Sequence, residues 1–347
     1  APPPAPPSRP PPVAGAAGTL AGAPAAAGFR LPAEWDPSEA VWLARPRDEG
    51  IWPGCLEKAQ TEWENFAARL RESVETRELG ALGIRTAGSA IRDFGPVFLV
   101  HAQRGVAALA AGPASETEAS QKFDADRAVP AEIARRAGIS ILDRHPPLRA
   151  GSFDTDGLGT LLVAESRLAA GGRDPVRERG VLESRLRETF GVSEIVELPG
   201  EIEGEGRGGH LDDVARFVAP GLVAAVESPP GHPDHARLAA NRDRLRRATD
   251  ARGQRLEIVP LPSPTPIHHE FPAGGRRMLP ASHANFLMAN NRILVPVFGS
   301  RSDDLACRRL EEAAGMPAIA VMARSLVVGL GGLHRLSCQQ PAGPAKG

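Results

Sequence analysis

The side chains able to do chemistry fall into a few short patterns. Residues 204–209 read GEGRGG, which has the G-x-G-x-x-G spacing of a pyrophosphate cradle. Such a cradle follows a strand directly and opens a helix near the start of a βαβ unit. This one follows ELPGEIE and precedes HLDDVARFV in mid-chain, so a flexible glycine-rich loop is the better reading. His232 with His235, and the neighbours His268 and His269, have the side chains to hold a metal. Neither pair has a third ligand at suitable spacing, and proline-rich flanks place both on loops, so surface histidines and no metal are expected. Cys55, Cys307 and Cys338 show no CxxC and no zinc spacing, and an odd count makes a poor disulfide framework. A reducing compartment, the cytoplasm, is expected. Cys55 and Cys307 fall on helical stretches and read as small hydrophobes. His210 and Asp212, in GGHLDDVARF, would share one face of a strand. Taken alone, an H-x-D of this kind is usually a loop histidine beside a solvated aspartate.

Short strands and helices must position these groups. Residues 55–75 carry Leu56, Ala59, Trp63, Phe66, Ala67 and Leu70, the i, i+3, i+4, i+7 stripe of a surface helix. Similar stripes lie at about 129–138, 176–190, 234–250 and 302–314. Apolar runs bounded by Pro and Gly lie between them, at 96–101, 159–164, 193–198, 221–227, 256–261, 292–299 and 317–323. Strands alternating with helices indicate an α/β protein. A strand–helix unit repeated around an axis and a doubly wound sheet both fit this pattern.

Composition narrows the function classes. The 347 residues are 42% apolar and 24% charged, enough for a sizeable core. Forty-one basic residues against 42 acidic ones give a net charge of −1, so neither a nucleic-acid footprint nor an anionic-membrane binder is expected. No apolar run approaches the length of a membrane-spanning helix. The chain has no Tyr, and its four Trp, at 35, 42, 52 and 63, lie in the first fifth, which argues against stacking platforms elsewhere. Residues 1–28 are rich in Pro, Ala and Gly and lack the apolar h-region of a signal peptide. They read as a disordered, partly polyproline arm, with the folded part beginning near Phe29.

Four ordered segments carry a resemblance: IRDFGPVFLV (91–100), LRAGSFDTDGLGTLLVAESRL (148–168), GGHLDDVARFVAPG (208–221) and GLGGLHRLSCQQP (329–341). With LPAEWDPSEAVWLARP (31–46), ATDARGQRLEIVPLPSP (248–264) and ASHANFLMANNRILVPVFG (281–299), the chain resembles the agmatine deiminase family, which includes the bacterial-type peptidylarginine deiminases. The resemblance implies one domain over residues 29–342, followed by a short tail at 343–347. It implies a five-bladed α/β-propeller, pentein-like, of pseudo-fivefold ββαβ units with a central active site. The family chemistry is hydrolysis of a guanidinium: agmatine and water give N-carbamoylputrescine and ammonia, feeding putrescine and polyamine synthesis. A thiolate attacks the guanidinium carbon, a His moves protons, carboxylates grip the cation, and a thiouronium forms on the Cys. No metal or organic cofactor is implied. The implied partner is a small guanidine cation, and family members often self-associate.

The family roles fall on particular residues here. The substrate-gripping Asp matches Asp93, the general acid/base matches His210, and the carboxylate two residues on matches Asp212. Two positions depart from the family pattern. The guanidinium-binding Glu is replaced by Arg149, in Arg149-Ala150-Gly151-Ser152, and the nucleophilic Cys is replaced by Arg335, next to His334 in the substrate-binding segment. Cys338 lies three residues further on. In an extended segment that offset turns it to the opposite face and moves it roughly 10 Å, so it is a weak substitute. Arginine stays protonated and cannot act as a nucleophile at neutral pH. An inactive member, acting as a binding or regulatory protein or drifting, is therefore the second reading. In it, Arg335 or Arg149 lies where the substrate guanidinium would lie, paired with Asp93 or Asp212. The usual Tyr before Asn-Phe is His283 here, and a usual Trp is Arg45. With Cys to Arg335, each change can arise from one T-to-C codon step, as GC-raising drift would produce.

Overall fold

A computed structural model of the chain describes residues 22–109, 124–142, 148–168, 175–204 and 209–343. The chain enters through β1 (Ser38–Leu43), α1 (Leu56–Arg71) and β2 (Glu75–Glu78). Then come α2 (Ile91–Phe94), β3 (Val97–His101), β4 (Gly105–Leu109), α3 (Asp124–Arg127), α4 (Val129–Ala137) and β5 (Ser140–Leu142). The pattern recurs in β6 (Phe153–Thr155), β7 (Thr160–Ala164), α5 (Glu165–Leu168), α6 (Pro175–Phe190) and β8 (Glu194–Leu198). It recurs again in β9 (Ala215–Ala219), β10 (Leu222–Glu227), α7 (His235–Arg247) and β11 (Glu257–Pro262). A hairpin, β12 (His268–Phe271) and β13 (Gly275–Met278), precedes β14 (Leu287–Ala289), β15 (Arg292–Val297), α8 (Asp303–Ala314) and β16 (Ala318–Met322). The last strand is β17 (Ser337–Pro341).

Among the described residues these strands make five three-stranded sheets of one design. A first strand pairs antiparallel with a middle strand, and a helix returns the chain to a third strand parallel to the middle one. The unit β17-β1-β2 takes its first strand from the C-terminal end of the fold and its other two from the N-terminal end, with Trp42 opposite Cys338. The fold is therefore mixed α/β built from repeated units, the first of the two arrangements the sequence left open. Middle strands are apolar on both faces because helices cover one side and neighbouring units the other: β7, TLLVA, is buried throughout. Third strands such as β2, ETRE, can be polar because they lie at sheet edges. The α1 stripe works as read, with Ala59, Trp63, Phe66, Ala67 and Leu70 all buried.

Several expectations change. Ala25–Ala27 form a 3-10 turn closed by Gly28 at φ 86°, so the ordered chain starts before Phe29; residues 1–21 of the expected arm lie outside the described residues. Residues 205–208 of the glycine-rich run also lie outside them. His268 and His269 are not on a loop but on β12, where prolines flank the strand rather than interrupt it. His235 is the first residue of α7, with Nδ1 2.7 Å from the Ser228 carbonyl. Cys55 stands just before α1 rather than within it.

Candidate active site

Each unit's first strand is preceded by a short lead-in, and the chemistry-bearing residues sit in these lead-ins. Asp93 lies on α2, before β3. The turn ends at Gly95, whose N–H meets the Ile91 carbonyl at 2.7 Å; a Cβ there would come within 2.6 Å of that oxygen, so glycine is required. Arg149 precedes a 3-10 turn, Ala150–Ser152, that leads into β6. His210 is extended and precedes a second 3-10 turn, Leu211–Asp213, that leads into β9. The expected strand over His210 and Asp212 is thus absent: the turn places the two side chains by one tight corner instead of by alternation. Asn285 leads into β14, and His334 and Arg335 lead into β17.

The lead-ins converge at Gly151. A Cβ built there would lie 3.3 Å from Asp93 Oδ1, 3.3 Å from His210 Cδ2 and 3.4 Å from Asp212 Oδ1. Both of those carboxylate oxygens are buried and have no hydrogen-bond partner among the described residues. His210 Nε2 is 3.7 Å from Asp93 Oδ2, and Arg149 Nη1 is 3.8 Å from the same oxygen. Burial opposes the charge of Asp93, but the nearby His210, with Arg335 and Arg149, outweighs it and holds the carboxyl well below its usual range. Asp212 is held down in the same way, burial being outweighed by the His334 hydrogen bond and by Arg335.

Arg335 points inward, with its side chain only 4% exposed. Its Nη2 is 3.4 Å from Asp213 Oδ2, its Nε is 3.9 Å from Asp212 Oδ1, and its Nη1 donates to the Leu330 carbonyl. His334 lies beside it between two carboxylates: Nδ1 is 2.8 Å from Asp212 Oδ2 and Nε2 is 2.8 Å from Glu34 Oε2. Each of these two lines needs a proton, and a neutral imidazole supplies one. Cys338 does not join the group. It sits on β17 among Trp42, Ile91 and Phe98, with Sγ 3.4 Å from the Pro96 carbonyl, and burial pushes its thiol up to about 11.

Several residues of this site were not singled out from the sequence. Glu34 holds His334, accepts from Arg216 and takes the Met288 N–H at 2.8 Å. Arg216 is fully buried and also reaches Asp154 at 3.3 Å. Asn285 donates to Asp213 at 2.8 Å and accepts the His334 N–H at 3.1 Å. Arg92 binds the His334 carbonyl at 3.1 Å and Gln339 at 2.8 Å. All four lie in segments that carry the family resemblance, but no residue type or spacing in those segments marked them as part of the site.

The family model for Porphyromonas-type peptidyl-arginine deiminases matches residues 30–341. The chain belongs to this family. A Streptomyces avermitilis protein is 31% identical over 350 residues, covering 92% of this chain and 99% of its own length. The agmatine deiminase of Stutzerimonas stutzeri is 27% identical, covering 93% and 98%. An agmatine deiminase structure from Enterococcus faecalis superposes with a TM-score of 0.81 at 23% identity, over 93% of this chain and 99% of that one, and so shares the fold. The chain is thus a member of a family of guanidine-modifying hydrolases with an α/β propeller-like fold. Among the described residues no group of three metal-ligating side chains occurs, and no helix is long and apolar enough to cross a membrane.

Proposed function

We propose that this chain is a non-hydrolysing member of the agmatine deiminase family whose guanidinium seat is filled by its own arginines. The observation that carries the reading is the Arg335 head, buried against Asp212 and Asp213 where the family nucleophile would stand. Arg149 adds a second guanidinium at Asp93. Asp93, His210 and Asp212 keep the substrate-gripping and proton-moving groups, but covalent hydrolysis needs a thiolate at the guanidinium carbon. Arginine supplies none, and Cys338 is buried, faces the Pro96 carbonyl and stays a thiol at neutral pH.

Kinship supports the hydrolytic alternative, in which agmatine becomes N-carbamoylputrescine for polyamine synthesis. That alternative needs a nucleophile other than Arg335. The proposal also includes a single domain at 29–342 whose five units close around one axis, a small guanidine as the cognate ligand chemistry, and a cytoplasmic setting suited to three free cysteines. Ureido product formed from agmatine, read by a citrulline-type colour reaction, tests the central statement. Purified protein is expected to stay at background, and Arg335→Cys with Arg149→Glu is expected to rise above it. Turnover by the unaltered chain well above background would overturn the reading.

A further inference from the structure

A cavity of about 90 Å³ lies beside the site, lined by Glu34 and His334 but by none of Asp93, Arg149, His210, Asp212 or Arg335. Its other charged lining residues are Asp36, Arg92 and Asp154. Glu34 is saturated by His334, Arg216 and the Met288 N–H, and Asp36 pairs with Arg30 at 3.2 Å. The other two are unsaturated. Asp154 is nine-tenths buried, and its Oδ2 takes the Phe217 N–H at 2.7 Å and faces Arg216 Nε at 3.3 Å. Its Oδ1 has no hydrogen-bond partner among the described residues. Arg92 commits Nε to the His334 carbonyl and Nη2 to Gln339, which leaves Nη1 without one.

The lining of one small cavity therefore includes a carboxylate and a guanidinium that each keep one atom without a protein partner among the described residues, with Leu31, Phe98 and Phe153 among its apolar walls. Such groups cost free energy unless water or a ligand meets them. A lone cation would leave Arg92 unmet, and a lone anion would leave Asp154 unmet. The space suits roughly six waters, or about as many heavy atoms. We propose that this cavity binds a small zwitterionic amino acid of glycine to alanine size, its ammonium on Asp154 and its carboxylate on Arg92. The site is separate from the guanidinium seat and does not depend on whether that seat is plugged.

Amide NMR of the full chain titrated with glycine tests this, with ammonium chloride and acetate as single-ended probes. Glycine is expected to shift the amides of Val97, Thr155 and Gln339 saturably, and each single-ended probe to bind at least about tenfold more weakly. Asp154→Asn keeps a carbonyl for the Phe217 N–H but turns an amide NH2 toward the cavity, and is expected to weaken glycine by about tenfold or more. Ser38→Leu fills the cavity with both charges intact and is expected to abolish binding; it serves as the second variant should Asp154→Asn fail to fold. The proposal is overturned by the absence of a saturable shift, by shifts confined to Asp93 and residues 209–213, by single-ended probes matching glycine, or by glycine binding that survives Ser38→Leu.

Discussion

Replacing Arg335 by alanine tests the plugged seat most directly. The substitution removes every atom beyond Cβ from a position 3% exposed and leaves Asp212 and Asp213 without their guanidinium. Breaking a buried pair by deleting one partner costs about 3–5 kcal/mol. The low end applies here, because Asp212 keeps His334 at 2.8 Å and Asp213 keeps Asn285 at 2.8 Å. At about 2 °C per kcal/mol for a chain of this size, Tm falls by about 6 °C. The vacated space has the shape and the facing charges of a guanidinium. Guanidinium chloride at about 10 mM, far below denaturing levels, would refill it; with a Kd of about 1 mM it returns about 1.4 kcal/mol, or about 3 °C. Unfolding followed by Trp fluorescence reads both effects. The unaltered chain should gain nothing from the same addition, because Arg335 already occupies the seat. Equal gains in both proteins, or an Arg335→Ala variant as stable as its parent and indifferent to guanidinium, would refute the plug.

Three other outcomes follow from the same structure. Glu34, Asp93 and Asp212 have carboxyls held below their ordinary values, so their contribution is complete above the unfolded pKa of about 4 and is lost as pH falls below it; Asp93→Asn should flatten the decline of stability with acid in that range, as urea titrations would show. Deleting Ser337–Gly347 removes the strand that pairs with β1 and should abolish the cooperative unfolding transition in circular dichroism. With its thiol pushed up to about 11 by burial, Cys338 should resist alkylation at neutral pH in the folded protein and react only after denaturation, as peptide mass mapping would show.

What the sequence made legible was local. The strands with long apolar runs, β3, β7, β8, β10, β11, β15 and β16, lie within a residue or two of where those runs stand; the middle strands β7, β10 and β15 are buried on both faces, and the edge strands β11 and β16 keep the apolar run though only half-buried. β17, SCQQP, and β2, ETRE, carry no such signal, since pairing with β1 rather than patterning makes them strands. The motif residues Asp93, Arg149, His210, Asp212 and Arg335 do meet, because the chain visits the same lead-in once per unit. Glu34 and Arg216 escaped notice because their partners lie 300 and 182 residues away from Glu34, a distance that no spacing rule spans. Asp213 escaped for a different reason. In a strand it would face away from Asp212, but the 3-10 turn brings both acids to Arg335.

The structure also bears on how the unusual residues arose. Directional drift that consumes Tyr, Trp and Cys codons would, without constraint, leave His and Arg wherever those residues had been, partnered or not. His283, Arg45 and Arg335 are all partnered. His283 is fully buried, with Nδ1 2.7 Å from the Pro262 carbonyl and Nε2 2.9 Å from Asp303. The Arg45 guanidinium lies 5.4 Å over the Trp63 ring and pairs with Glu64. Arg335 is held by Leu330, Asp212 and Asp213. An unpaired cation at Arg335 or a half-satisfied imidazole at His283 would each cost several kcal/mol, a large part of a domain's total stability. On the proposal that drift placed these residues, folding would keep only those changes whose side chains find partners. Under the proposed plug, Arg335 passes such a filter because carboxylates arranged for a guanidinium are a ready-made receptor for an arginine side chain.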